Sequence, residues 1–177
     1  AFYENKTLEK VNISDSVTNI ESYAFGRCIS LKEITLPKSI ITIGERAFIS
    51  CIELAEINIP NSVTKIEEAA FIFCEKLQEV TIPDSVTDLE DQTFRDCTGL
   101  RKVTISNSVT VIKSQVFSGC TNLTEVNIPN SVTSIDDFAF SDCSSLTSIT
   151  FEAGPNTVPE GFPWGATNAT LIDLNKQ

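Results

Sequence analysis

The chain has 177 residues, 41% hydrophobic and 21% charged, with 24 acidic against 13 basic side chains and a net charge of −11. A surface of that sign repels polyanions, which argues against nucleic acid and bare anionic membrane as partners. No histidine is present, which removes Ser-His and Cys-His nucleophile pairs and imidazole metal ligation, and no apolar run approaches the roughly 18–20 residues of a membrane-spanning helix.

Cys28, Cys51, Cys74, Cys97, Cys120 and Cys143 stand 23 residues apart, and every other column falls into the same register. The chain is therefore a repeat array, in which each unit buries its faces against its neighbours. The first residues already belong to a repeat, because Phe2 occupies the phenylalanine column, so the chain starts mid-unit. There is no signal peptide and no initiator methionine, and the chain reads as a mature product or a cut fragment.

Each unit opens on a leucine: Leu8, Leu31, Leu54, Leu77, Leu100, Leu123 and Leu146. Three residues on comes Val11, Ile34, Ile57, Val80, Val103, Val126 or Ile149, and two further on another apolar residue. That spacing predicts a turn entering a short strand, since alternate strand residues share a face. Pro37, Pro60, Pro83 and Pro129 follow at once and mark the strand's end. A β-branched segment comes next, as in NSVTKI at 61–66, and reads as extended. Glu45, Glu68, Asp91 and Asp137 then precede Phe48, Phe71, Phe94 and Phe140. Inward positions now fall three and four apart, which predicts a short helical turn whose positive end the acids suit.

Residues 1–151 form the array, and residues 152–177 read as a degenerate last repeat or cap. There Gly154 and Pro155 replace the Ser-Val pair, Pro163 falls in the phenylalanine column and Ala166 in the cysteine column. Ala169, Ile172 and Leu174 keep the strand spacing, while Phe162 and Trp164 are placed to cover the last turn. Leu171 then lies in a water-facing column, so either the last strand slips by one residue or something covers it.

The units LKEITLPKSIITIGERAFISC and LTEVNIPNSVTSIDDFAFSDC resemble the BspA-like leucine-rich repeats over about residues 2–151. Departures are Ser106 for proline, Thr93 and Val116 for alanine, and the eroded last unit. The resemblance implies a right-handed leucine-rich-repeat solenoid with a 23-residue period, a parallel β-sheet on the concave face, and short extended or helical turns on the convex side. It also implies a cell-surface or secreted protein of mucosal bacteria or protists, acting in adhesion or in binding a host or matrix protein.

Chemistry is sparse. No phosphate-binding glycine loop, HExxH motif or nucleophile elbow is present, so no catalytic residue, metal or cofactor is expected. The cysteines stack in one inward column, where parallel side chains do not converge for a disulfide and a line of thiols does not surround a metal. Buried free thiols are the expectation.

Two surfaces are candidates for binding. On the sheet face, Glu33, Glu56, Glu79 and Glu125 fall in one outward column and Thr35, Asn58, Thr81 and Asn127 in the next. They make either a solvated ladder or a strip that binds a protein or glycan, with calcium on Glu33, Glu56 and Glu79 as a third reading. On a loop edge, Ile29, Ile49, Ile52, Ile72 and Phe73 occupy columns that later units fill with Arg95, Asp96, Ser118, Gly119, Thr121, Ser141, Asp142 and Ser144. A contiguous apolar patch there predicts self-association or a partner contact, against local loop packing. The leading expectation is a non-catalytic module binding an extracellular protein or host glycoprotein, without nucleic acid or direct membrane insertion. The alternative is a structural spacer presenting other domains. Asn5, Asn12, Asn122 and Asn168 lie in N-x-[ST] sequons, which matter only in a eukaryotic secretory pathway.

Overall fold

Two short extended segments per repeat cannot bury their apolar side chains alone, and in the computed structural model they do so by stacking. The structure describes residues 2–176. Seven coils follow one another, opening at residues 8, 31, 54, 77, 100, 123 and 146, with a part-coil before them and a last strand after. The leucine, valine, isoleucine, phenylalanine and cysteine columns make one continuous core along the stack.

The first strand of a coil is short, as in β1 (Lys10–Asn12) and β2 (Glu33–Thr35), and pairs in parallel with its neighbour. Partners are 23 residues apart, Val11 opposite Ile34 and Val80 opposite Val103, so the same column always faces in. A second ladder of two-residue strands joins the β-branched segments, with Ile20, Ile43 and Ile66 in register.

The convex side departs from the short helical turn that the three-and-four spacing predicts. It is built of consecutive turns: the amide of Ala24 donates to Glu21, Gly26 to Tyr23 and Cys28 to Phe25, each three residues back. Tyr23, Arg46, Ala69, Gln92, Gln115 and Phe138 take a positive φ, and so do Arg27, Ser50, Phe73, Asp96, Gly119 and Asp142 four residues on. Two left-handed residues in six forbid a right-handed helix. They turn the intervening amides outward along the stack, where Phe48 donates to Ala70 and Phe71 to Thr93 at 2.8 and 2.9 Å. This ladder runs unbroken from Phe2 through Phe140 to Trp164.

Without a helix, the acids have no helix end to serve, and two of them act between coils instead. Asp91 accepts the amide of Ser114 at 3.0 Å, and Glu68 receives Arg46 at 3.3 Å. Two of the sequence departures are accommodated by hydroxyls: buried Thr93 donates to the Glu90 carbonyl at 2.6 Å, and Ser106 to the Pro83 carbonyl at 3.3 Å.

At the far end the period changes. The last strand, β3 (Thr170–Asp173), sets Leu171 opposite Ile149 and Ile172 opposite Thr150, a spacing of 22. The one-residue slip is thus the alternative realised, and it turns Leu171 inward against the core. Trp164 is buried and donates its indole N–H to the Glu160 carbonyl at 2.7 Å, while Phe162 meets it edge-on and is exposed. Asn130 holds the preceding loop, donating to the carbonyls of Glu152 and Asn156 and accepting the Asn156 amide.

Candidate functional site

Strand alternation decides what the sheet face shows. In Glu33–Thr35 and Glu79–Thr81 the middle residue is buried and the two flanking ones are exposed, so Glu33, Thr35, Glu79 and Thr81 face solvent. Glu56 and Asn58 do the same on either side of buried Ile57. These six line one shallow groove across three coils. The groove opens where the strand ladder is interrupted. Among the described residues no backbone hydrogen bond joins 33–36 to 56–59, and Glu56 meets Glu79 through a single bridge. Lys10 pairs with Glu33 and holds its carboxyl below the usual carboxylate range through a direct hydrogen bond.

Glu125 and Asn127 lie apart from these six. They line a second opening with Arg101, Lys102 and Glu152, where the ladder again lapses between the strands at 102–104 and 125–128. The eight sheet-face residues therefore divide between two grooves, one carrying carboxylates alone and one of mixed charge. Sequence columns reveal which residues point outward, but not where the backbone ladder parts.

The loop edge is less open than its composition suggests. Ile72 is buried, Ile29, Ile49 and Ile52 are half-buried, and Phe73 alone of the five is exposed, at 38%. Tyr3 and Ile49 close over Gly26, where an added Cβ would meet each at 3.0 Å. Local packing accounts for most of the apolar run. The same columns farther along become a trough floored by Ser118, Ser141 and Gly165, with Arg95 at one end and Phe138 on its wall. Phe138 escapes the sequence reading because its column otherwise holds Tyr23, Arg46, Ala69, Gln92 and Gln115. A phenylalanine in a column whose other members are Tyr, Arg, Ala and Gln is the signal that could have found it.

The six cysteines are free and buried. Each Sγ donates to the carbonyl of the phenylalanine in the preceding coil, from Cys51 to Phe25 at 3.1 Å and from Cys143 to Phe117 at 3.0 Å. Burial pushes the thiols of Cys51, Cys97 and Cys143 up to about 12. A thiol held protonated and hydrogen-bonded is a poor nucleophile. Among the described residues no three His, Cys, Asp or Glu side chains gather as a metal would need, and no helix is long and apolar enough to cross a membrane.

The family model described as "BspA type Leucine rich repeat region (6 copies)" matches residues 1–121 and 87–176. No curated protein matches the chain. Among solved structures, a leucine rich cell surface protein from Faecalibacterium prausnitzii A2-165 is 44% identical over 85% of this chain, with a TM-score of 0.80. This chain spans 41% of that protein's length. The leucine rich repeat protein of T. pallidum, TpLRR, is 27% identical over 95% of this chain and 70% of its own, with a TM-score of 0.58. The pneumococcal vaccine antigen PcpA shares the fold at 16% identity, covering 95% of this chain and 55% of its own, with a TM-score of 0.57.

Proposed function

The chain belongs to the BspA-type leucine-rich repeat family, and from that membership we propose that it is a non-catalytic interaction module, secreted or held at a cell surface. In this reading it binds an extracellular protein or host glycoprotein, in adhesion or host contact, through its sheet face. The observation that carries the reading is the groove of Glu33, Thr35, Glu56, Asn58, Glu79 and Thr81, an exposed polar strip three coils long. It is too open to enclose a reacting small molecule and wide enough for a protein segment. The cell-surface name of the F. prausnitzii relative supports the location.

A structural spacer is the second reading, favoured by the unbroken convex ladder, which makes the stack stiff along its axis. The test is a binding screen of the chain against immobilised matrix and mucosal proteins. Saturable binding that disappears in the Glu56→Ala, Asn58→Ala double variant supports the sheet face. Binding to nothing leaves the spacer.

A further inference from the structure

The geometry points to a second binding site, on the loop edge of the later coils, that takes a pyranose unit of a neutral glycan. It is independent of the sheet-face groove and lies on a different side of the coil. Its origin can be followed column by column. Where the second and third coils carry Ile49 and Ile72, the next three carry Arg95, Ser118 and Ser141. Losing those branched side chains leaves the trough that Ser118, Ser141 and Gly165 floor. Gly165 has a φ of +87°, and a Cβ there would stand 2.2 Å from the Ser141 hydroxyl, so any larger residue would fill or break this end.

The wall supplies the platform. Phe138 is 58% exposed, the most exposed large apolar side chain of the described residues. It is fixed at a φ of +63° between buried Ala139 and the turn before it. A pyranose presents a face of weakly positive C–H groups, which the negative face of an aromatic ring attracts. Sugars also need hydrogen-bond partners for their hydroxyls, and a few placed polar groups beside an apolar surface are the usual composition of a ligand site. The trough offers the Asp142 carboxylate, the Asn168 carboxamide and the hydroxyls of Ser118 and Ser141. The side-chain hydrogen bonds and ion pair around the trough run between Gln92, Arg95, Asp96 and Gln115 and from Ser114 to the Asp137 carbonyl, and leave these four side chains open.

The charge selects a neutral sugar. Arg95, the one cation in the trough among the described residues, has its charge balanced by Asp96, 3.2 Å from its Nε; Nη1 donates to Gln115 at 3.3 Å, while Nε itself makes no hydrogen bond. A chain of net charge −11 repels anionic glycans. The trough is open along its length, which suits one unit of a longer glycan better than an enclosed free monosaccharide.

Saturation-transfer NMR on the whole chain tests this with the methyl glycosides of glucose, galactose, mannose and N-acetylglucosamine. At least one should receive transfer, strongest at the C–H protons of one ring face. Phe138→Ala should weaken it by about tenfold or more, and so should Ser118→Ile, which restores the residue type of Ile49 and Ile72. Glu56→Ala, in the sheet-face groove, should leave it unchanged. Phe138 is largely exposed, so an unchanged melting temperature in Phe138→Ala separates loss of the platform from loss of fold. Transfer to none of the four glycosides, or transfer that survives Phe138→Ala, overturns the proposal. Sugar binding lost with Glu56→Ala and kept with Phe138→Ala overturns it as well and moves the site to the sheet face.

Discussion

The thiol of Cys74 donates to the carbonyl oxygen of Phe48 at 3.3 Å, and the same oxygen accepts the amide of Cys51 at 3.1 Å. One carbonyl thus closes the turn of its own coil and ties down the coil after it. Cys74→Ala removes the second bond and leaves a small void without touching the first. The cost should be about 1–3 kcal/mol, combining a lost buried hydrogen bond with lost packing. Urea denaturation reads it as a lower midpoint. A midpoint equal to wild type would mean that the sulfur–oxygen contact contributes nothing.

The same thiols set an alkaline limit. Burial raises Cys51, Cys97 and Cys143 from 9.0 to about 12 in the folded chain. The folded state therefore holds its protons longer than the unfolded one. Their contribution is complete below about pH 9 and is lost as pH rises from there towards 12. Each thiol loses about 1.4 kcal/mol per pH unit across that window. Melting temperature should hold steady from pH 7 to 8.5 and fall steeply above 9. Replacing Cys51, Cys97 and Cys143 by alanine should flatten the fall, and a profile unchanged by those replacements assigns it to other groups.

The phenylalanine column should dominate stability in its middle and matter least at its open end. Phe71 stacks on Phe48 and Phe94 with ring centroids 5.2 and 5.4 Å apart, whereas Phe2 stacks only on Phe25 and is 48% exposed. Phe71→Ala should cost about 3–5 kcal/mol and Phe2→Ala about 1 kcal/mol or less. In a stack with nearest-neighbour coupling, the central change should also separate the two halves into distinct unfolding steps. Similar losses at both positions would argue against that coupling.

Much of this was legible because every column repeats. Val80 and Val103 point inward for the same reason, and one alternating triplet predicts them all. The outward set, from Glu33 to Asn127, follows from the same alternation. Its division into two grooves depends on where the backbone ladder lapses, between 33–36 and 56–59 and again between 102–104 and 125–128, which no side-chain pattern encodes. The convex turn departs from the expected helical turn because left-handed φ values fall on Tyr23, Arg46 and Gln92 instead of on glycines, so nothing in the composition marks them. Ile72 and Phe73 are apolar neighbours, yet Ile72 is buried and Phe73, at a positive φ, is exposed.

That difference makes a test of the loop edge. Ile72 is 6% exposed and Phe73 is 38% exposed. Ile72→Ser should cost about 2–4 kcal/mol through a buried cavity and an added polar group. Phe73→Asp should change stability by less than about 1 kcal/mol. Light scattering on Phe73→Asp then reads self-association alone. A wild-type dimer that becomes monomeric would place an interface at Phe73, and an unchanged mass would remove the loop edge as a self-association surface.

The slipped last strand gives a sharper contrast, because neighbouring residues exchange roles when a strand shifts by one. At a spacing of 22, Leu171 lies opposite Ile149 and packs on the core, while Ile172 lies opposite Thr150 on the sheet face. At a spacing of 23 the roles would be reversed. Leu171→Asp should therefore put a charge against the apolar end of the stack and release the last strand. Amide exchange at Thr170–Asp173 would accelerate to near the rate of an open chain, while exchange in the central coils stays slow. Ile172→Asp should leave exchange in that strand almost unchanged. If instead Ile172→Asp frees the strand and Leu171→Asp does not, the register keeps the 23-residue period to its end.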